Sequence, residues 1–179
     1  MNTIKDQCLK EKTTDPYVIA CHLMNESEIP MHGPVHHLID GAAFMTALHN
    51  AGMEFDLPSA LDKLADRAKL MPGATCGMWG VCGSASSLGA ALAIIHETGP
   101  LTDTEFYKDN MRLTSRILAR EAEIGGPRCC KRNCFNALLT GIDFVREIYG
   151  IDLPENKIVC TFHDHNPQCI RERCPFHPE

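Results

Sequence analysis

Residues 84–95 read SASSLGAALAII, a run that is small or apolar on nearly every face. A helix that is apolar all round is buried, because it has no polar face to turn towards water. The run therefore predicts a central helix around which the other elements pack. A homodimer seam is the alternative use of such a surface.

The segments around this run also predict helices. The stretch PVHHLIDGAAFMTALHNAG has Pro34 at its start and Gly52 at its end, which is the asymmetry expected of a helix. Asp56 is a helix cap ahead of a leucine-lined face, and the sequence TDTE at residues 102–105 forms a capping-box pattern. Helices are predicted at residues 16–25, 34–52, 57–70, 84–95, 105–124 and 128–149, with a short strand as the alternative at residues 16–25.

The chain after these helices changes character. Residues 157–162, KIVCTF, predict one short strand, and the remainder is too polar and proline-rich for a packed element. We therefore expect a mostly α fold, a single-domain helical bundle with a cysteine-rich, metal-organised C-terminal tail. Its expected parts are an N-terminal segment at residues 1–28, a helical core domain at 29–156, and a cysteine- and histidine-rich tail at 157–179 packed on the core.

Length and charge narrow the class of protein. The 179 residues suit one domain, and a net charge of -6 argues against general binding to nucleic acid, which needs a basic surface. No apolar run approaches the roughly 18 residues needed to cross a bilayer, and the N-terminus lacks the apolar region of a signal peptide. We expect a cytoplasmic protein that binds neither nucleic acid nor membranes.

The unusual feature of the composition is ten cysteines together with nine histidines. Disulfides are disfavoured because a secretion signal is lacking and the chain is long enough to build its own core. Reduced thiols that bind metal or carry out redox chemistry are the better interpretation. His32, His36 and His37 lie near a predicted helix start, where imidazole can bind metal or act as a general acid or base. Capping and solvation of these rings is the alternative.

Two cysteine motifs precede predicted helices. Cys76 and Cys82 flank a loop whose glycines, Gly77, Gly80 and Gly83, permit close backbone approach and can present N–H groups to an anion. The thiols suggest a thiolate–metal assembly as that anion, and a tight packing turn is the alternative.

The second motif is GPRCCKRNC at residues 126–134. Pro127 in a first helical turn would place Cys129 and Cys130 near a helix N-terminus, where its partial positive charge and the basic neighbours lower a thiol pKa. Two such helix starts can aim at one anionic centre, and a cubane iron–sulfur cluster is such a centre. A solvated basic turn with space-filling cysteines is the alternative.

The tail carries a third group of ligand-type residues, spaced C-x2-H-x-H-x3-C-x4-C-x2-H. Zinc would take four of them in a closed tetrahedral site, whereas an iron–sulfur cluster would prefer Cys160, Cys169 and Cys174 with a thiol from elsewhere. A frayed terminus is the alternative.

Four of these motifs, MHGPVHHLI, CGMWGVCGSASSLG, GGPRCCKRNCF and the terminal N-x2-C-x4-CPF, resemble an uncharacterised cysteine-rich domain family of bacteria and archaea. Its members are often from anaerobes, alone or near radical-SAM and methyltransferase modules, and the likeness runs from about Ile29. The resemblance implies a metal-binding protein. It points to catalytic roles for His32, His36, His37 and Arg128, to Asn166 beside a cofactor, and to Cys76, Cys82, Cys129, Cys130, Cys160, Cys169 and Cys174 as metal ligands.

Seven thiols in the motifs exceed the four that saturate one cubane or one zinc ion. The first hypothesis is an iron–sulfur enzyme of lyase or sulfur-transfer type with an exposed 4Fe-4S iron, in which the histidines transfer protons. The second is a non-catalytic iron–sulfur or metal carrier for a partner enzyme of radical-SAM or methyltransferase type. The third is a zinc-stapled regulatory module.

Overall fold

A computed structural model describes residues 2–178 of the chain, and their regular secondary structure is helical. No strand occurs within those residues. The helices are α1 (Asn2–Lys10), α2 (Pro16–Met24), α3 (His36–Asn50), α4 (Leu57–Leu70), α5 (Thr75–Met78), α6 (Gly83–Ile95), α7 (Glu105–Ile124) and α8 (Cys130–Tyr149), followed by 3₁₀ turns at His163–His165 and Arg171–Arg173. None of these helices is long and apolar enough to cross a bilayer.

Helix α6 lies at the centre of the bundle, as its sequence predicts. It packs against α3, α4, α7 and α8, and Leu88 and Leu92 are fully buried. Helices α3 and α6 approach closely, because a Cβ on Gly41 would lie 2.9 Å from the carbonyl oxygen of Ser87. The Ser87 hydroxyl accepts a hydrogen bond from Gly41 N at 2.8 Å and donates one to the carbonyl of His37. This contact fixes the first turns of α3 against α6, where the ligand-type residues lie.

The first two helices belong to the same core. Helix α1, which the sequence analysis does not predict, buries Ile4 and Cys8, while α2 buries Ile19 and Leu23. The predicted helix at residues 16–25 is confirmed, and Asp15 caps it by accepting hydrogen bonds from the amides of the first turn. Both helices pack against α3.

Several helix starts differ from their predictions. Helix α3 begins two residues after Pro34, and α8 begins at Cys130, so Pro127 lies outside the helix. The predicted capping box is wrong: Thr104 is the N-cap of α7 but makes no side-chain cap hydrogen bond. The Thr102 hydroxyl instead accepts from Gly99 N at 2.9 Å, which closes the preceding turn.

The predicted strand at residues 157–162 is wrong. A strand needs a neighbour to pair with, and this segment makes isolated contacts instead: Cys160 N donates to Phe176 O at 2.7 Å, and the Tyr17 hydroxyl donates to Val159 O at 3.0 Å. Aromatic packing adds to these contacts, since the Phe176 ring lies edge-on to Phe135 of α8 at 5.6 Å. The tail thus lies against α2 and α8 without regular secondary structure beyond its two short turns.

Candidate metal centre

Four thiols line one small cavity between the start of α8 and the tail. This tail chamber, of about 20 Å³, is lined by Cys129, Cys160, Cys169 and Cys174. Cys129 is the N-cap of α8, and the other three come from the irregular tail. The remaining wall is largely apolar and includes Met31, Phe135, Phe162, Ile170 and Phe176.

Backbone amides point at the sulfur atoms of the tail chamber. Arg132 N donates to Cys129 Sγ at 3.4 Å, and Arg171 N donates to Cys169 Sγ at 3.4 Å. The backbone amides of Phe162 and Phe176 act to lower the pKa of Cys160 and Cys174. Two of the four sulfurs therefore accept an amide hydrogen bond, and amides near the other two also favour negative charge on sulfur.

Burial opposes the formation of negative charge on these sulfurs when the thiols bind no metal. It raises the pKa of Cys160 and of Cys174 above the ordinary value, although the amides of Phe162 and Phe176 act in the opposite direction. A bound metal cation reverses that balance, because it deprotonates the thiols that bind it.

A second cavity lies beside the first, and we refer to it as the loop chamber. It has a volume of about 60 Å³ and is lined by Cys76, Cys82 and Cys130, with Cys129 in the wall that it shares with the tail chamber. Cys82 is the N-cap of α6, and Cys129 is the N-cap of α8. Two helix N-termini therefore converge on one cavity, as the sequence analysis expects.

The loop-chamber thiols are held in protein contacts. Asn133 Nδ2 donates to Cys82 Sγ at 3.1 Å. Burial and the adjacent Glu121 carboxylate raise the pKa of Cys82 to about 12. Burial also raises the pKa of Cys130, against a hydrogen bond from the Gly33 amide. The expected lowering of the thiol pKa at the start of α8 is therefore not found for Cys130, because desolvation outweighs the helix terminus and the basic neighbours.

His32 and Asn166 link the two chambers. Cys130 N donates to His32 Nδ1 at 3.4 Å, so His32 Nε2 carries the proton that it donates to Asn166 Oδ1 at 3.1 Å. Asn166 Nδ2 then donates to Cys129 Sγ at 3.5 Å. Both nitrogens of His32 are therefore engaged, and Asn166 lies directly against a cysteine of the tail chamber.

His36 and His37 both line the loop chamber. His36 is 1% exposed, and burial lowers its pKa to about 3, which keeps the ring neutral. The ring of His37 occupies the space where a side chain at Gly83 would begin. Gly83 therefore serves close packing at the start of α6 in addition to any contact with a bound group.

Two buried charged residues beside the chambers were missed in the sequence analysis. Lys131 is 2% exposed, with its Nζ 4.7 Å from the centre of the Phe162 ring, although the sequence places it in a basic turn. Asp40 is fully buried on α3, and burial raises the pKa of its carboxyl group to about 7. The signal for Asp40 was a lone acid inside the apolar run LIDGAAFM, whereas nothing in the sequence marks Lys131 as buried.

A wider cavity of about 300 Å³ adjoins the loop chamber. Cys76 and Cys82 face both spaces, and Gly77, Gly80, Glu121, Arg128 and Asn133 contribute to the outer wall. Burial raises the pKa of Glu121 to about 7. Arg128, the candidate catalytic arginine, lines both this cavity and the loop chamber. Its side chain is exposed, which places it at the mouth of the loop chamber.

The structure thus separates the seven candidate thiols into two neighbouring groups, and it leaves Cys8, Cys21 and Cys134 among the core residues. Within residues 2–178, no three His, Cys, Asp or Glu side chains are grouped closely enough to hold a single metal ion.

The sequence profile of a family of unknown function, DUF5714, matches residues 4–177. The chain belongs to this family. The DUF5714 match extends beyond the motifs at both ends and includes most of α1, in agreement with the packing of α1 and α2 into the common core. No curated protein and no solved structure matches the chain significantly.

Proposed function

We propose that the protein binds an iron–sulfur cluster in the tail chamber through Cys129, Cys160, Cys169 and Cys174. The observation that supports this most strongly is four thiols around one cavity, two of which accept a backbone N–H hydrogen bond while nearby amides lower the pKa of the other two. A cluster with four cysteine ligands carries net negative charge on its sulfur atoms, so it fits a cavity built in this way.

A single zinc ion and a cubane cluster hold four thiols at different separations. Zinc binds thiolates at about 2.3 Å, so its four sulfurs must lie nearly in contact. A cubane separates them further, because each of its four irons binds a different cysteine. Among the described residues, no three ligand-type side chains are close enough to hold one ion, so a zinc-stapled module would need the thiols to move together.

A cluster in the tail chamber would serve electron transfer and order the tail. Four thiols leave no open iron. The cavity of about 20 Å³ is close to the space for one water molecule, so the tail would have to move outward to admit a cluster, and no space remains for a substrate. The cluster itself would supply one-electron redox chemistry, while the apolar wall excludes water and Lys131 provides a buried positive charge nearby. This role suits a carrier that passes electrons to a partner enzyme, for which we propose a radical-SAM or methyltransferase type.

A second candidate function is catalysis of the lyase or sulfur-transfer type. The observation in its favour is the cavity of about 300 Å³ that holds two thiols, the exposed Arg128 and the Glu121 carboxyl group with a pKa raised to about 7. A general acid or base works best with a pKa near the working pH. This function requires a metal position open to that cavity.

The double variant Cys160→Ala/Cys174→Ala tests the tail chamber as a ligand site. With two of four ligands gone, we expect protein purified without oxygen to lose the iron and acid-labile sulfide of this cluster almost entirely. Cys8→Ala is the matched control, because Cys8 is a buried cysteine in the core, and it should lose none. Full iron and sulfide in the double variant would show that the cluster lies elsewhere.

A further inference from the structure

The loop chamber is lined by three thiols that the tail chamber does not use, Cys76, Cys82 and Cys130, and by two imidazoles, His36 and His37. Nε2 of His36 and Nδ1 of His37 are both buried without a hydrogen-bond partner among the described residues. His36 is the more deeply buried of the two residues, at 1% exposed. A buried nitrogen without a partner loses hydrogen-bond energy, so a ligand for His36 Nε2 beside three thiols would be stabilising.

The tautomer of His36 is fixed by its other nitrogen. Nδ1 lies 3.1 Å from the carbonyl oxygen of Gly33, which can only accept a hydrogen bond. Nδ1 therefore carries the ring proton, and Nε2 presents a free lone pair. Metal-binding histidines are typically held in this way, with the second nitrogen donating to a carbonyl group that fixes the ring orientation.

We propose that the loop chamber binds a second iron–sulfur cluster through Cys76, Cys82 and Cys130, with His36 Nε2 as the fourth ligand. Asn133 and the Gly33 amide then donate to the thiolates of Cys82 and Cys130. His36 acts as a ligand instead of a proton-transfer group, since the residue is 1% exposed and its Nδ1 proton is held by the Gly33 carbonyl.

The arrangement places two redox centres side by side. Cys129 and Cys130 are consecutive residues, with Cα atoms about 3.8 Å apart, and each belongs to a different cluster. His32 and Asn166 connect the Cys130 amide to Cys129 Sγ through hydrogen bonds. Two adjacent one-electron centres can hold two electrons and deliver them in succession, and this role rests on the proposed cluster in the tail chamber. Binding of a cluster in the loop chamber does not depend on it.

The test uses the full chain, reconstituted without oxygen with ferrous iron and sulfide. In the Cys160→Ala/Cys174→Ala background, we expect about half of the wild-type iron to remain, and its reduced form should show strong nitrogen coupling in pulsed electron paramagnetic resonance. Adding His36→Ala should abolish that coupling, whereas His49→Ala, at an exposed histidine near the other end of α3, should retain it. Labelling histidine with ¹⁵N should change the coupling pattern in the Cys160→Ala/Cys174→Ala protein, and it should have no effect once His36→Ala is added.

Two results would overturn the proposal. The first is that the wild type holds one cluster and the Cys160→Ala/Cys174→Ala variant holds no iron. The proposed function would then stand, but the loop chamber would bind no cluster. The second is a second cluster whose nitrogen coupling survives His36→Ala. As a check that does not depend on the tail variants, Cys82→Ala/Cys130→Ala in the wild-type chain should halve the iron and retain the helical circular dichroism. Full iron in that variant would also contradict the proposal.

Discussion

Trypsin is expected to cleave the tail of the metal-free protein at least about tenfold faster than that of the metal-loaded protein, at Arg171 and Arg173. Residues 150–178 contain no α-helix and only two 3₁₀ turns, and both arginines are exposed. Such a segment owes little of its order to backbone hydrogen bonding, so cross-links through bound metal would contribute most of it. The measurement is limited proteolysis followed by mass spectrometry of the released C-terminal peptides.

Cleavage within α7 provides the internal control. Arg116 lies in the middle of that 20-residue helix and pairs with Glu147 of α8. Cleavage there requires the bundle itself to open, so it should remain slow in both forms. Equal cleavage of the tail with and without metal would contradict metal-dependent ordering, and faster cleavage at Arg116 would indicate general unfolding of the metal-free chain.

Lys131→Met is expected to shift the reduction potential of the bound iron to more negative values. The buried ammonium group lies in the tail-chamber wall, and its removal takes away a positive charge that favours the reduced, more negative cluster. Each 1.4 kcal/mol of lost stabilisation corresponds to about 60 mV for one electron. The measurement is an anaerobic redox titration followed by visible absorbance.

The matched control is Lys108→Met, which removes a lysine whose side chain is 59% exposed and pairs with Glu105 on the surface. Its potential should stay at the wild-type value, because water screens a surface charge. Lys131→Met also leaves Asp40 buried without a nearby cation, so iron content and thermal unfolding must be measured with the potential. An unchanged or more positive potential in an iron-loaded, folded Lys131→Met protein would contradict the proposed position of the cluster.

Much of the helical architecture could be predicted from local patterns. The run at residues 84–95 predicted the central position of α6, and the cap Asp56 predicted the start of α4. Helix starts without a side-chain cap were harder to place: Val35 makes no cap hydrogen bond, and the prediction missed the start of α3 by two residues. The predicted strand failed because strand propensity in KIVCTF cannot show whether a partner strand exists.

The site could be predicted as a set of residues and not as an arrangement. Spacing within the sequence identified seven thiols. It could not show that Cys130 lines the loop chamber while the adjacent Cys129 lies in the wall between the two chambers. The free Nε2 of His36 depends on a carbonyl three residues earlier, and the burial of Lys131 depends on how the tail folds over α8. Both follow from tertiary packing, which a local pattern does not encode.

The most direct test of the central claim is the iron and acid-labile sulfide content of the wild-type protein, purified without oxygen and read beside its visible spectrum. We predict equal amounts of iron and sulfide, about four of each per occupied cluster, with a broad brown absorbance that bleaches on reduction. Zinc bound without sulfide and without colour would contradict the account and would instead favour a structural zinc site built by the same tail cysteines.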